Sequence, residues 1–157
     1  MKKVIAVMFV LMLALVVCTG LAIAGEKAKG GRFIAYDNGT VLDTKTRLMW
    51  AAKDNGSGIN WANTKSYCNS YRGGGYTDWR MPTQNELEGL NDEAKTYKSD
   101  CGLDVHLTEL IHISCTMAWA SETNGPEAAY FGFGGGGRGW GLQSHGGGRA
   151  LPVRSGK

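Results

Sequence analysis

Apolar residues recur along this chain at two different spacings, and the places where the spacing changes mark its elements. Residues 33–36 and 40–42 are short strand-like runs on either side of Asp37-Asn38-Gly39. Asn-Gly tolerates the positive φ of a type I′ turn, so the pattern predicts a β-hairpin. A second polar turn, 43–47, leads into Leu48-Met49-Trp50-Ala51, a run too short for a helix and suited to a buried strand; the opening therefore reads as a β-meander. Helical spacing takes over at Trp61, Thr64 or Lys65, Cys68 and Tyr71, with Asn60 as the cap and Gly73-Gly74-Gly75 as the stop. This predicts a helix over 61–70 with Cys68 on or near its inner face.

Extended chain from 76 to 81 then meets Pro82, which keeps Met81 out of helical angles. Thr83 followed by Glu86 is a capping box: the threonine oxygen takes a free first-turn N–H and the glutamate reaches back to the cap. A second helix starts there, with Leu87, Leu90 and Ala94 on its apolar face and Gln84, Asn85, Glu88 and Asn91 directed to water. Trp79 is an anchor for packing. Arg80 is a ligand contact or a clamp on a carboxylate or carbonyls, and the clamp is the reading adopted. Between Cys101 and Cys115, Leu107, Leu110, Ile111 and Ile113 fit a helical turn or a short strand equally well. Strands are predicted over 116–121 and 128–133, joined by a turn at 122–126. Glycine runs at 134–137 and 146–148 bracket Arg138, Trp140, Gln143 and His145 and read as a long surface loop, and 149–154 as a last short strand that Pro152 limits to an edge or to a position whose N–H is not needed.

The first residues change the picture of where the protein works. Lys2 and Lys3 precede a stretch without charge from Val4 to Ala24 that ends in Ala22-Ile23-Ala24, the pattern of a signal peptide removed after Ala24. The expected organisation is a signal peptide over 1–24, a mobile lead over 25–31 and a single domain over 32–157, exported to the periplasm, the cell surface or beyond, with no membrane association after cleavage. The whole chain of 157 residues carries a net charge of +3, and two of its cations leave with the leader, so nothing marks a nucleic-acid binder. No Cys-x-x-Cys occurs and His106, His112 and His145 have no zinc-finger spacing, which excludes a structural zinc site. A calcium-dependent lectin site needs a Glu-Pro-Asn or Gln-Pro-Asp triplet; Glu122-Thr123-Asn124 is a faint substitute. The expectation is no metal and no cofactor.

Arg32-Phe33, Asn38-Gly39-Thr40-Val41 with Asp43, Leu48-Met49-Trp50, Trp61 with Cys68, Gly74-Gly75-Tyr76, Asp78-Trp79-Arg80, Pro82-Thr83 with Glu86-Leu87, Trp119 with Ser121, and Val153-Arg154 occur in that order. Together they resemble a bacterial family of exported domains typified by the C-terminal domain of the collagen-like adhesin of Legionella. The Asp-Trp-Arg-x-Pro-Thr-x-x-Glu-Leu corner is the most specific part. The resemblance implies an α+β fold, a C-type-lectin-like variant shared with formylglycine-generating enzymes: two helices, a small twisted antiparallel sheet and long glycine-rich loops. Trp50, Trp79, Arg80, Thr83 and Glu86 are then scaffold. Relatives carry glycine where Arg47 stands and often a last-strand cysteine where Pro152 stands, so Cys68 has lost the partner they would offer it. Cys101 and Cys115 flank a segment with few apolar residues, and closing that loop is worth roughly 3 kcal/mol in the chain-entropy model, so these two are expected to pair and Cys68 to stay a buried thiol.

The resemblance also implies adhesion to a carbohydrate or glycosaminoglycan-like polymer. In this sequence Trp140 offers a stacking ring, and Arg138, His145 and Arg149 offer cationic or polar groups beside it; the bland alternative is that Trp140 pins the loop and the arginines are solvated. No serine, histidine and carboxylate set declares itself, so an enzyme is not expected. The partner expected is a glycan or polyanionic polymer. The alternative is a structural or assembly subunit that self-associates through Tyr130, Phe131, Phe133 and Trp140.

Overall fold

A computed structural model describes residues 24–156. Nearly all of the expected signal peptide, residues 1–23, lies outside the described residues. The chain begins with four antiparallel strands, β1 (Glu26–Gly30), β2 (Phe33–Tyr36), β3 (Thr40–Asp43) and β4 (Leu48–Ala51). Then come α1 (Trp61–Ser70), a 3-10 turn at Gly73–Gly75 and α2 (Gln84–Glu88). The second half holds the two-residue strands β5 (Tyr97–Lys98) and β6 (Asp104–Val105), the ribbon β7 (Met117–Asn124), β8 (Glu127–Gly132) and β9 (Gly137–Leu142), and the closing β10 (Val153–Ser155). The fold is α+β. Its strands form three sheets rather than one small sheet: β1-β2-β3-β4-β10, β5-β6 and β7-β8-β9.

Period-two alternation decides which way the first sheet faces. Phe33, Val41, Trp50 and Val153 point into the main core with Ala118, Phe131, Leu87 and Ile111, while Met49 and Ala51 point the other way, beneath Trp79. Trp50 is 1% exposed, at the centre of that core. β7 and β8 are covered on both faces: Ala118, Ala129 and Phe131 join the main core, and Trp119 and Ala128 pack with Cys68 of α1, Met81 and Ala150. Asn60 caps α1, accepting from the Asn63 N–H at 2.9 Å, and Thr64 and Cys68, one turn apart, are its buried residues. Cys101 and Cys115 are bonded and Cys68 is free and buried.

Four expectations need correction. The lead over 25–31 is an ordered edge strand: β1 pairs with β2 from Glu26↔Tyr36 to Gly30↔Phe33, and Gly31 supplies the turn at φ 59°. Its mostly exposed residues give no apolar signal, so only backbone pairing reveals it. The second helix stops at Glu88, and Ala94 lies beyond it in an exposed loop. Gln84 is buried, because the first helical position faces β8 and β9 and its amide donates to the Tyr130 and Gly139 carbonyls at 2.9 and 3.1 Å. The glycine-rich stretch is not all loop, since its middle is β9, paired with β8 along its whole length. Gly139 is what this pairing needs: a Cβ there would collide with the Tyr130 ring lying across the strand. Residues 107–113 are neither helix nor regular strand, yet Leu107, Ile111 and Ile113 are fully buried.

Candidate functional site

The corner from Tyr76 to Glu88 is filled with interactions internal to the protein. Thr83 Oγ1 accepts from the Glu86 N–H at 3.2 Å, and Glu86 Oε2 accepts from the Thr83 N–H at 2.8 Å, completing the capping box. Arg80 donates to both oxygens of Glu86, at 2.8 and 2.6 Å. Burial pushes the Glu86 carboxyl up, but the hydrogen bonds from Arg80 and Thr83 outweigh it and hold the group below its ordinary value. Trp79 is 3% exposed and donates its indole N–H to the Gly73 carbonyl at 3.0 Å. Asp78 receives Arg154 of β10 at 2.6 and 3.1 Å, and that guanidinium lies 3.8 Å from the Tyr76 ring centroid. Asp78, Trp79 and Arg80 thus fasten the last strand, the outer face of the first sheet and α2 in turn.

The four residues expected to bind ligand fall on two sides of the β7-β8-β9 sheet. Arg138 and Trp140 are in register with Phe131 and Ala129 of β8, so their side chains leave β9 on the α2 side, with Leu142 next in the same row. The α1 side of β9 carries only Gly137, Gly139 and Gly141. Large apolar residues are exposed at Leu103, Trp140 and Leu142, and two of these three stand in that one row, Trp140 at 46% and Leu142 at 57%. Arg138 pairs with Glu88 of α2, and the guanidinium holds that carboxyl below the usual carboxylate range. Adjacent side chains on one face of a strand stand about 7 Å apart, so the exposed indole has a charged, hydrogen-bonding pair next to it.

His145 and Arg149 are elsewhere. The His145 ring meets Trp119 edge-on at 6.5 Å, on the other face of the sheet. Arg149 is tied inward: its Nε donates to Ser114 Oγ at 2.7 Å and its Nη1 to the Gly147 carbonyl at 2.9 Å. Asp54, also buried, accepts from the Ser114 backbone and hydroxyl at 2.8 and 2.9 Å. Arg149 therefore locks the chain between β6 and β7 to the chain before α1 and has little of its guanidinium left for a ligand.

Leu142 of the exposed row and Glu88 of α2 beside it were not legible as such. Glu88 reads as a solvated helix residue and Leu142 as part of a loop, although the alternation Gly-Arg-Gly-Trp-Gly-Leu is itself a strand period. Among the described residues no group of three or more His, Cys, Asp or Glu is placed to hold a metal ion. A cavity of about 610 Å³ lies between the β1–β2 turn and the chain after α2. Of its cations, Lys29 pairs with Glu26 at 2.9 Å and Arg32 with Asp43 at 3.0 Å, and Lys95 also lines it. A smaller groove of about 390 Å³ runs beside α1.

The Lcl C-terminal domain family matches residues 39–154. No curated protein and no solved structure matches the chain.

Proposed function

The chain belongs to the Lcl C-terminal domain family, an adhesin-related domain, and from that premise we propose that it is an exported, non-catalytic module that holds a carbohydrate polymer against the exposed row of β9. The observation that carries this is Trp140: a large aromatic ring, 46% exposed, on a strand paired along its whole length with β8. A sugar ring stacks its C–H face on an indole, and Arg138 and Glu88 offer a donor and an acceptor for hydroxyls beside it. Because these two charges pair with each other, the row suits hydroxyl-rich, weakly charged sugars better than heavily sulfated ones. The Cys101–Cys115 bond supports an oxidising compartment, and with it the cell surface or medium as the place of work.

Glycan-array binding by the wild type and by Trp140→Ala tests the reading. The variant should bind at least tenfold more weakly, the ratio that about 1.4 kcal/mol of lost contact gives, with unchanged melting. Equal binding by both proteins would refute it. The unpaired outer edge of β9 favours a second reading, an assembly subunit that adds a copy of itself to this edge. Concentration-dependent association that sugars leave untouched and Trp140→Ala abolishes would replace the first reading with the second.

A further inference from the structure

A groove of about 390 Å³ lies on the opposite side of the β7-β8-β9 sheet from the Trp140 row, between α1 and the corner. One wall is the row Trp61, Lys65 and Asn69 of α1, spaced four residues apart and so on one face of the helix; Arg80, Met81 and Ser121 form the other. The Trp61 indole N–H donates to the Ala120 carbonyl at 2.8 Å, which fixes the ring in the groove wall, and the Lys65 ammonium lies 5.6 Å from its centroid. Lys65 is exposed and has no ion-pair partner among the described residues, whereas Arg80 is already neutralised by Glu86. No carboxylate lines the groove. The walls supply an indole, a thioether and alkyl stems with the unpaired Lys65 charge, and Asn69 and Ser121 add an amide and a hydroxyl that can donate to or accept from a peptide backbone.

We propose that this groove is a second binding site, for an extended peptide segment that sets an apolar side chain over Trp61 and Met81 and a carboxylate on Lys65. Its length suits that occupant. Trp61 to Asn69 spans about 12 Å along the helix at 1.5 Å per residue, which is about four residues of extended chain at 3.3 Å each. The charge is complementary at one point only, so the site selects a single acidic position flanked by apolar ones rather than a run of acid.

The test is a titration of the purified, isotope-labelled protein, read by NMR at the Trp61 indole N–H and the Lys65 and Met81 amides. The probe is an acetylated, amidated tetrapeptide alternating leucine and aspartate. Saturable shifts confined to this groove are expected, at least fivefold weaker in affinity for the asparagine counterpart of the peptide and for Lys65→Gln, a substitution at an exposed position that leaves melting unchanged. Trp140→Ala should titrate like the wild type. Absence of shifts, equal affinity for the asparagine peptide, or glucuronate producing the same shifts at lower concentration would each overturn the peptide site, the last by making it a sugar site.

Discussion

The corner at Asp78-Trp79-Arg80 and the strand at Arg138–Leu142 have similar ingredients, a tryptophan beside an arginine that pairs with a glutamate of α2, and they do opposite things. At the corner the indole is 3% exposed and the arginine holds Glu86 in two hydrogen bonds, with Glu86 closing a capping box behind it. On β9 the indole is 46% exposed and the Arg138–Glu88 pair lies in solvent. A motif dense with named residue types marks where the chain needs a rigid junction, since every group in it is used by another. The surface available for a ligand is instead built where alternate glycines let a strand pair closely while its other side chains stay uncovered.

The sharpest way to break this comparison is Trp79→Ala. Loss of a buried tryptophan costs about 3 to 5 kcal/mol, so the variant should melt far earlier while each folded molecule binds as the wild type does. Binding lost at unchanged melting would move the corner into the site. Thr83→Ala is a milder form of the same test, removing a cap worth about 1 kcal/mol. The corner also has a pH signature. The folded Glu86 carboxyl titrates below its ordinary value, so the stability it adds is present above its unfolded pKa and is lost as pH falls through the folded one. Urea midpoints of wild type and Glu86→Gln should differ at neutral pH and converge in acid below the usual carboxylate range; a constant gap would contradict the pairing.

The smallest effect has the opposite sign. Among the described residues Arg47 is the non-glycine residue with positive φ, 58°. Its carbonyl accepts from the Gly156 N–H at 2.7 Å, which ties the turn to the end of β10 despite the side chain. Arg47→Gly removes about 1 to 2 kcal/mol of left-handed strain, partly offset by a looser unfolded chain, for a net gain of about 0.5 to 1. Higher melting without any change in binding is expected, and lower melting would show that the arginine side chain stabilises the turn.

What could be read from the sequence divides along the same line. Asn38-Gly39, Asn60 with its helix and the Thr83–Glu86 box are local signals, decided by residues within one turn of each other, and the structure has the hairpin, the cap and the box; the hairpin turn is not type I′, since Gly39 has positive φ, 78°, and Asn38 does not. Pairing of Cys101 with Cys115, 14 residues apart, was expected from the gain in closing a loop with few apolar residues, and the two are bonded. β1 and β9 escaped because their pairing is not written in apolar residues: one is a charged edge strand, and in the other every second position is glycine. Arg149 looked free for a ligand because its partners, Ser114 and Asp54, are distant along the chain. Arg138 and Trp140 were picked out for their chemistry, but only the register of β9 on β8 separates them from His145 and puts Glu88 beside them.

The central claim is that one tryptophan holds the fold and the other holds the ligand, and it is tested most directly by measuring Trp79→Ala and Trp140→Ala side by side. Each would be titrated onto the polysaccharide that the wild type selects from an array, at a temperature where both variants are folded. The account predicts wild-type affinity for folded Trp79→Ala, and for Trp140→Ala at least a tenfold loss, about 1.4 kcal/mol, with stability within about 0.5 kcal/mol of the wild type, as for an ordinary surface change. Wild-type affinity in Trp140→Ala, or an equal loss in both, would contradict it.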